Sequence, residues 1–86
     1  MNLIIDIGNT QTKAAVFYQQ QLREIFTASV ANREFILTIC KKYPDISSAI
    51  VSSVAGTGNE LIEVLESEGM TITVVNEHNR LPIENK

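Results

Sequence analysis

The sequence predicts an α/β fold with a mixed five-stranded sheet of strand order 3-2-1-4-5. Three observations support it: three closely spaced strand patterns open the chain, two stretches of helical period follow, and each of these precedes another strand pattern. A connection from one strand through a helix to a parallel strand is almost always right-handed. The order β-β-β-α-β-α-β therefore places an antiparallel meander on one side of the first strand and two parallel strands on the other.

The first three strands form the meander. Residues 3–7 are apolar on both alternating faces, which is typical of a central strand covered on both sides. A bend at Gly8 and Asn9 leads into a second strand, Thr12–Tyr18, and a short polar link leads into a third, Gln21–Ala28. Short links of this kind favour antiparallel pairing between successive strands.

Two stretches of helical period come next. The first is predicted to begin after an N-cap at Asn32 and to end before Pro44. The second has the spacing of a capping box from Thr57 to Glu60 and is predicted to end at Gly69. One apolar stripe marks the buried face of the first helix, and it consists of Phe35, Ile36, Ile39, Cys40 and Tyr43.

The remaining strands are predicted at residues 49–54 and 70–75, parallel to the first strand. A chain of 86 residues has room for one modest domain, so residues 1–76 are interpreted as one lobe and residues 77–86 as an exit segment. The predicted strand order is that of the ribonuclease H-like core, which nucleases, actin-type ATPases and sugar kinases share.

Composition argues against several classes of protein. The net charge of −3 and the lack of any Lys/Arg cluster argue against a nucleic-acid surface. Cys40 is the only cysteine, which suits a reducing cytoplasm, and no intrachain disulfide can form. The chain contains no apolar run near the roughly 20 residues of a membrane span, and its first residues do not resemble a signal peptide.

The stretch from Asp6 to Lys13 has the residue types that a nucleoside triphosphate requires. Gly8 lets backbone N–H groups approach phosphates closely, and the amide and hydroxyl side chains after it can donate hydrogen bonds. Asp6 provides one carboxylate for a Mg²⁺ that keeps several waters, and Lys13 can balance phosphate charge. The candidate phosphate-binding residues are Asp6, Ile7, Gly8, Asn9, Thr10, Gln11, Thr12 and Lys13.

A purely structural role for this stretch is the alternative. Asp6 and Asn9 could shape a tight hairpin, as Asx side chains often do, with Lys13 as a solvated charge. An ionised Asp within an apolar strand is costly, however, unless it meets a cation or several donors. This cost favours the phosphate-binding interpretation.

The same residues carry a family resemblance. Residues 6–10, with Lys13 three positions on, resemble the first phosphate motif of the actin and hexokinase superfamily. Within that superfamily, the Gly-Asn-Thr sequence of this motif is most similar to that of type III pantothenate kinases. Residues 50–54 and 81–83 resemble the fourth strand of that family and the segment after its fifth. The resemblance implies that residues 6–13 bind the phosphates of ATP, and that residues 1–76 are an N-terminal ATPase lobe.

The resemblance also implies an activity. The family transfers the γ-phosphate of ATP to pantothenate, giving 4'-phosphopantothenate for coenzyme A biosynthesis. It does so with Mg²⁺ and a monovalent cation, K⁺ or NH₄⁺, in a cytoplasmic homodimer. Family members are longer, and a Gly-x-Asp-Arg motif provides their proton-acceptor Asp. No Asp follows Asp45 here, and the chain reaches Lys86 before any such motif. We therefore expect no catalytic residue in this segment, and no activity from it alone.

Two alternatives come from other functional classes. A ribonuclease H-like nuclease needs several carboxylates that converge on two metal ions, yet residues 48–54 contain none. A non-catalytic nucleotide-binding or regulatory module is the second alternative, because the family has also been labelled Bvg accessory factor, a transcriptional regulator. An acidic chain without a basic recognition helix gives no physical support for direct DNA contact.

Four other side chains could in principle take part in binding or catalysis, but each is interpreted as structural or solvated. His78 lies in a polar stretch and is interpreted as solvated, and Cys40 as a core thiol. Ser52 and Ser53 could approach phosphates from the end of the fourth strand, but hydroxyls satisfied within the sheet are the favoured interpretation.

Overall fold

The structure is a computed structural model that describes residues 1–8, 10–29, 32–53 and 59–75. The observed elements follow the predicted order β-β-β-α-β-α-β. They are β1 (Asn2–Ile7), β2 (Thr12–Tyr18), β3 (Gln21–Ala28), α1 (Arg33–Lys42), β4 (Ser48–Ser53), α2 (Asn59–Ser67) and β5 (Thr71–Val75).

The five strands form one mixed sheet of order β3-β2-β1-β4-β5. β1 is antiparallel to β2 and parallel to β4, and β4 is in turn parallel to β5. The central register places Ile5 opposite Ala14 on one side and Val51 on the other. The predicted ribonuclease H-like α/β class and its strand order are therefore confirmed.

Both helices pack on the same face of the sheet and share one hydrophobic core with it. Every second residue of β1 points into this core, and α1 and α2 contribute their apolar stripes from above. Burying one such aliphatic side chain contributes about 1.5–3 kcal/mol. The largest fully buried side chains are Leu3, Ile5, Val16, Ile36, Ile39, Val51, Leu61 and Leu65.

The opposite face of the sheet differs from the sequence prediction. Residues 3–7 predict a strand covered on both sides, but in the described part of the chain the helices cover one face only. Ile4 lies on the uncovered face and is only half-buried. Ala15 and Ile50 lie directly beside Ile4 on the neighbouring strands, so its side chain has apolar neighbours on this face as well.

The ends of α1 confirm the predicted signals. The Oδ1 atom of Asn32 accepts a hydrogen bond from the backbone N–H of Phe35 at 3.0 Å, which is an N-cap. At the other end, the backbone N–H of Tyr43 donates to the carbonyl of Ile39 at 2.9 Å, and Pro44 follows. Lys41 and Lys42 in the last turn match the negative end of the helix dipole.

The predicted end of α2 at Gly69 is also confirmed. Gly69 has a φ of +85°, which is the left-handed region that favours glycine. Its N–H donates to the carbonyl of Glu66 at 3.0 Å, and the N–H of Met70 donates to that of Leu65 at 3.3 Å. This pair of bonds is a Schellman motif, and the buried Met70 supplies the hydrophobic contact that accompanies it.

Some predictions fall outside the described residues. They are the capping residue Thr57, the last strand position Val54 and the exit segment 77–86 with His78. The fifth strand begins at Thr71, one residue later than predicted, because Met70 completes the end of α2.

Candidate functional site

The candidate site lies at the edge of the sheet where β1 and β4 end. These two strands are parallel neighbours, so their carboxyl ends meet there. β1 ends at Ile7, and the chain then turns through Gly8 back into β2 at Thr12. In open α/β sheets, ligands bind in the crevice outside the carboxyl ends of the strands.

The turn after β1 depends on a glycine. The backbone N–H of Gly8 donates to the carbonyl oxygen of Gln11 at 3.0 Å. A Cβ atom added to Gly8 would lie 3.0 Å from that same oxygen, so a side chain here would crowd the turn. Thr10 and Gln11 are exposed, while Asn9 lies outside the described residues. The turn thus presents backbone groups closely, as a phosphate-binding turn requires.

Three polar side chains lie next to one another across the end of the sheet. Asp6 on β1 is in register with Lys13 on β2 and with Ser52 on β4. Residues directly opposite in a sheet have Cβ atoms about 4.5–5.5 Å apart and lie on the same face. Asp6 and Lys13 are half-buried, and Ser52 is 3% exposed. The structure therefore places an acid beside a base and a hydroxyl on the face opposite the helices.

Ile7 and Thr12 are placed differently from the other candidate residues. They are in register with each other and point towards the helix-covered face, where they are 7% and 3% exposed. Their side chains therefore lie on the face opposite that of Asp6 and Lys13. Any contribution of Thr12 to an anion at the turn is limited to its backbone groups.

Two helix amino ends also lie at this edge, a feature that the sequence reasoning missed. β3 is parallel to β1, and α1 follows β3 just as α2 follows β4. Both helices therefore begin on the side of the sheet where the Gly8 turn lies. The amino end of a helix carries partial positive charge and favours anions. The crossover connections in the sequence contain this signal, because a helix that follows a strand parallel to β1 begins at the carboxyl edge of that strand.

Asp6 is the one carboxylate among the three side chains in register at this edge of the sheet. Among the described residues, no group of three or more His, Cys, Asp or Glu side chains could hold a metal ion. One carboxylate beside a close backbone turn fits Mg²⁺, which prefers oxygen ligands, keeps several waters and binds phosphates as further ligands. Where the nuclease alternative requires an acid on β4, the register position beside Asp6 holds Ser52.

The surroundings of Cys40 favour a structural role over a reactive one. It is half-buried against the core, and desolvation raises the pKa of its thiol, with the charge of Glu68 adding to that effect. A raised pKa disfavours the reactive thiolate. The interpretation as a core thiol therefore fits the structure. In the described segments, no helix has both the length and the apolar character needed to span a membrane.

Comparison with known proteins identifies the family. A family model for type III pantothenate kinase matches residues 2–86. A type III pantothenate kinase of Phocaeicola vulgatus is 33% identical over 85 residues, which are 99% of this chain and 35% of that protein. A type III pantothenate kinase of Bacteroides fragilis matches with the same identity and coverage. The chain belongs to the type III pantothenate kinase family, and it spans about a third of the length of these relatives.

Proposed function

We propose that this chain provides the ATP-phosphate-binding part of a pantothenate kinase. The observation that carries the proposal is the arrangement at the carboxyl edge of β1, where Asp6 and Lys13 lie in register beside the tight Gly8 turn. Phosphoryl transfer depends mainly on positioning and on electrostatic stabilisation of the phosphates. A backbone turn, a cation and a carboxylate within one hairpin can together position the phosphates and stabilise their charge.

Each residue has a proposed role. The backbone N–H groups that follow Gly8 in the turn bind the phosphate oxygens of ATP, while the N–H of Gly8 itself donates to Gln11 and holds the turn closed. Lys13 offsets the phosphate charge. Asp6 holds Mg²⁺ directly or through a water, with Thr10 and Gln11 exposed at the turn as hydrogen-bonding groups. When bound, the Mg²⁺ neutralises charge that develops on the phosphates.

The family name gives the proposed reaction. Pantothenate accepts the γ-phosphate of ATP and becomes 4'-phosphopantothenate, a step in coenzyme A biosynthesis in the cytoplasm. The monovalent cation, K⁺ or NH₄⁺, and the homodimer belong to the same proposal. The described residues contain no second acid beside Asp6 on its neighbouring strands, since Lys13 and Ser52 occupy those register positions. The proton acceptor is therefore proposed to come from outside this segment, and the segment alone to be inactive.

A binding titration tests the phosphate site. ¹⁵N-labelled chain is titrated with ATP and Mg²⁺, with ATP and EDTA, and with adenosine. We expect the amide signals of the Gly8 turn to shift with ATP but not with adenosine, and the affinity to rise with Mg²⁺. Asp6→Asn is expected to weaken the Mg²⁺-dependent part about tenfold, because charge-assisted contacts contribute about 1.5–3 kcal/mol.

A matched control separates the site from a general charge effect. Asp45 is exposed in the turn after α1, and its carbonyl accepts a hydrogen bond from the amino terminus, so it lies at the opposite edge of the sheet. Asp45→Asn removes the same charge and is expected to leave ATP binding unchanged. No shift at the Gly8 turn with ATP, or equal effects of the two substitutions, contradicts the proposed site. Release of ADP from ATP when the chain alone is given ATP, Mg²⁺ and pantothenate contradicts the proposed inactivity.

A further inference from the structure

The side chain of Ser52 is buried beside the candidate phosphate site. Ser52 is 3% exposed, and it and Thr12 are the two buried polar residues in the described part of the chain. Among the described residues, no group forms a hydrogen bond with the Ser52 hydroxyl. Buried polar groups are nearly always hydrogen-bonded, because an unpaired one destabilises the folded state. The burial of Ser52 therefore indicates a partner that the described residues do not supply.

Ser48 shows how a hydroxyl on the same strand is satisfied within the sheet. It lies two alternations before Ser52 on β4, so the two side chains share one face. Ser48 is in register with Asn2, and its Oγ atom donates a hydrogen bond to Asn2 Oδ1. At the carboxyl end of β4, the residue in register with Ser52 is Asp6. The sequence interpretation of a hydroxyl satisfied within the sheet thus describes Ser48 and not Ser52.

The neighbours of Ser52 restrict the chemistry of its partner. Lys13, Asp6 and Ser52 form one row across three adjacent strands, with Asp6 in the middle. Neighbouring strands lie about 4.8 Å apart, so a small group can contact the carboxylate and the hydroxyl together. The burial of Ser52 restricts that group to about the size of a water molecule. A Mg²⁺ that a single carboxylate holds keeps several waters, so it brings such a group to this position.

We propose that Ser52 positions the hydrated Mg²⁺ that Asp6 holds, because its hydroxyl accepts a hydrogen bond from a water on the ion. The inference rests on the proposed ATP-phosphate site and extends that site from one hairpin to β4. A serine hydroxyl has two acceptor lone pairs, so it can receive this bond. Groups that hydrogen-bond to the ligands of a metal ion orient those ligands and strengthen binding. Ser52 is thus a positioning residue that acts through the water and does not touch the phosphates.

The first test measures folding in the absence of ATP and Mg²⁺. Ser52→Ala removes a buried hydroxyl that has no partner among the described residues, so we expect the Tm to rise. Ser48→Ala is the matched control, and we expect its Tm to fall slightly because it loses the bond to Asn2. Thermal unfolding followed by circular dichroism compares the two variants with the unsubstituted chain. A lower Tm for Ser52→Ala would show that the hydroxyl has a stabilising contact within the chain, which overturns the proposal.

The second test separates the ion from the nucleotide. The affinity for ATP is measured by isothermal titration calorimetry with Mg²⁺ and with EDTA. We expect Ser52→Ala to reduce the gain in affinity that Mg²⁺ gives by about threefold to tenfold, which is the effect of one lost hydrogen bond. The affinity in EDTA should not change, and Ser48→Ala should change neither value. Equal losses with Mg²⁺ and with EDTA contradict a role through the ion.

A double variant connects the hydroxyl to the ion that Asp6 holds. In an Asp6→Asn background, we expect Ser52→Ala to lose less than half of its effect on Mg²⁺-dependent affinity, because the two residues act on the same ion. Fully independent losses would overturn the inference. A loss in Asp6→Asn with none in Ser52→Ala contradicts this inference and leaves the proposed function intact. If Mg²⁺ does not raise the affinity of the unsubstituted chain, the proposed site and this inference are both wrong.

Discussion

The carbonyl oxygen of Gln11 accepts the backbone N–H of Gly8 at 3.0 Å and lies equally close to the position that a Cβ atom on Gly8 would occupy. The close turn between β1 and β2 therefore requires a residue without a side chain. This contact connects the stability of the hairpin to the proposed binding of phosphate by its backbone.

We expect Gly8→Ala to weaken both folding and ATP binding. The methyl group must push away a hydrogen-bonded backbone oxygen, and overpacking of this kind typically costs about 1–3 kcal/mol. Urea unfolding measures the change in the free energy of unfolding, and the ¹⁵N titration measures the change in affinity.

Gly69→Ala is the matched control for that substitution. Nothing lies within 4 Å of a Cβ at Gly69, but its φ of +85° strains any L-residue by about 1–2 kcal/mol. It should lower stability without changing ATP affinity, because Gly69 follows the carboxyl end of α2. Equal losses of affinity in the two variants would show that general destabilisation, and not the turn, controls binding.

Ile4 and Ile5 provide a test of the one-sided core. Ile5 is fully buried under the helices, and Ile4 is half-buried on the uncovered face of the sheet. We expect Ile5→Ala to lower the free energy of unfolding by about 2–5 kcal/mol, and Ile4→Ala by less than half as much. Denaturant titration of the isolated chain measures both values. Similar losses at the two positions would contradict the assignment of the uncovered face.

The N-cap of α1 gives a third prediction. Asn32 Oδ1 accepts the backbone N–H of Phe35, so Asn32→Ala is expected to lower the free energy of unfolding by about 0.5–2 kcal/mol. Asn32→Asp keeps the acceptor and is the control, with stability close to that of the unsubstituted chain. Thermal unfolding followed by circular dichroism compares the three proteins. A loss in Asn32→Asp as large as that in Asn32→Ala would rule out the capping role.

Glu24 links β3 to the end of α1 and gives a pH-dependent prediction. Its carboxylate accepts hydrogen bonds from Lys42 Nζ at 3.1 Å and from Tyr43 OH at 2.7 Å. The hydrogen bond from Lys42, and after it the one from Tyr43, lowers the pKa of Glu24 below its ordinary value of 4.5. The bond to Glu24 in turn raises the pKa of Lys42 above its ordinary value of 10.5. The stabilisation by Glu24 is thus complete above pH 4.5 and is lost as the pH falls through the lowered pKa.

We expect Glu24→Gln to lower stability slightly at neutral pH and to make no difference in strong acid. The stabilisation from Lys42 is complete below its ordinary pKa and is lost as the pH rises through its raised pKa, so the neutral-pH difference should also diminish in strong base. Urea unfolding at a series of pH values measures both limits. In a Lys42→Met background the effect of Glu24→Gln should shrink, and an unchanged effect would rule out the ion pair as its cause.

The ATP-phosphate site gives the fifth prediction, a loss of about tenfold in Mg²⁺-dependent affinity for Asp6→Asn but not for Asp45→Asn. The sequence could propose this site because all of its groups lie within one hairpin. It could not assign faces correctly to every residue. Thr12 was predicted as a hydroxyl donor, but its pairing with Ile7 turns its side chain towards the helices.

The sequence by itself determined the element order, the helix ends at Asn32 and Gly69, and the residues of the turn, because each of these depends on local periodicity or backbone preference. Only the tertiary structure decided which groups meet across strands. Residues far apart in the chain, such as Asp6 and Ser52, become neighbours through the register of parallel pairing, and local preference carries no information about that register. The same holds for the two faces of the sheet. The apolar pattern of β1 is compatible with cover on both sides, and only the packed helices show which face they cover.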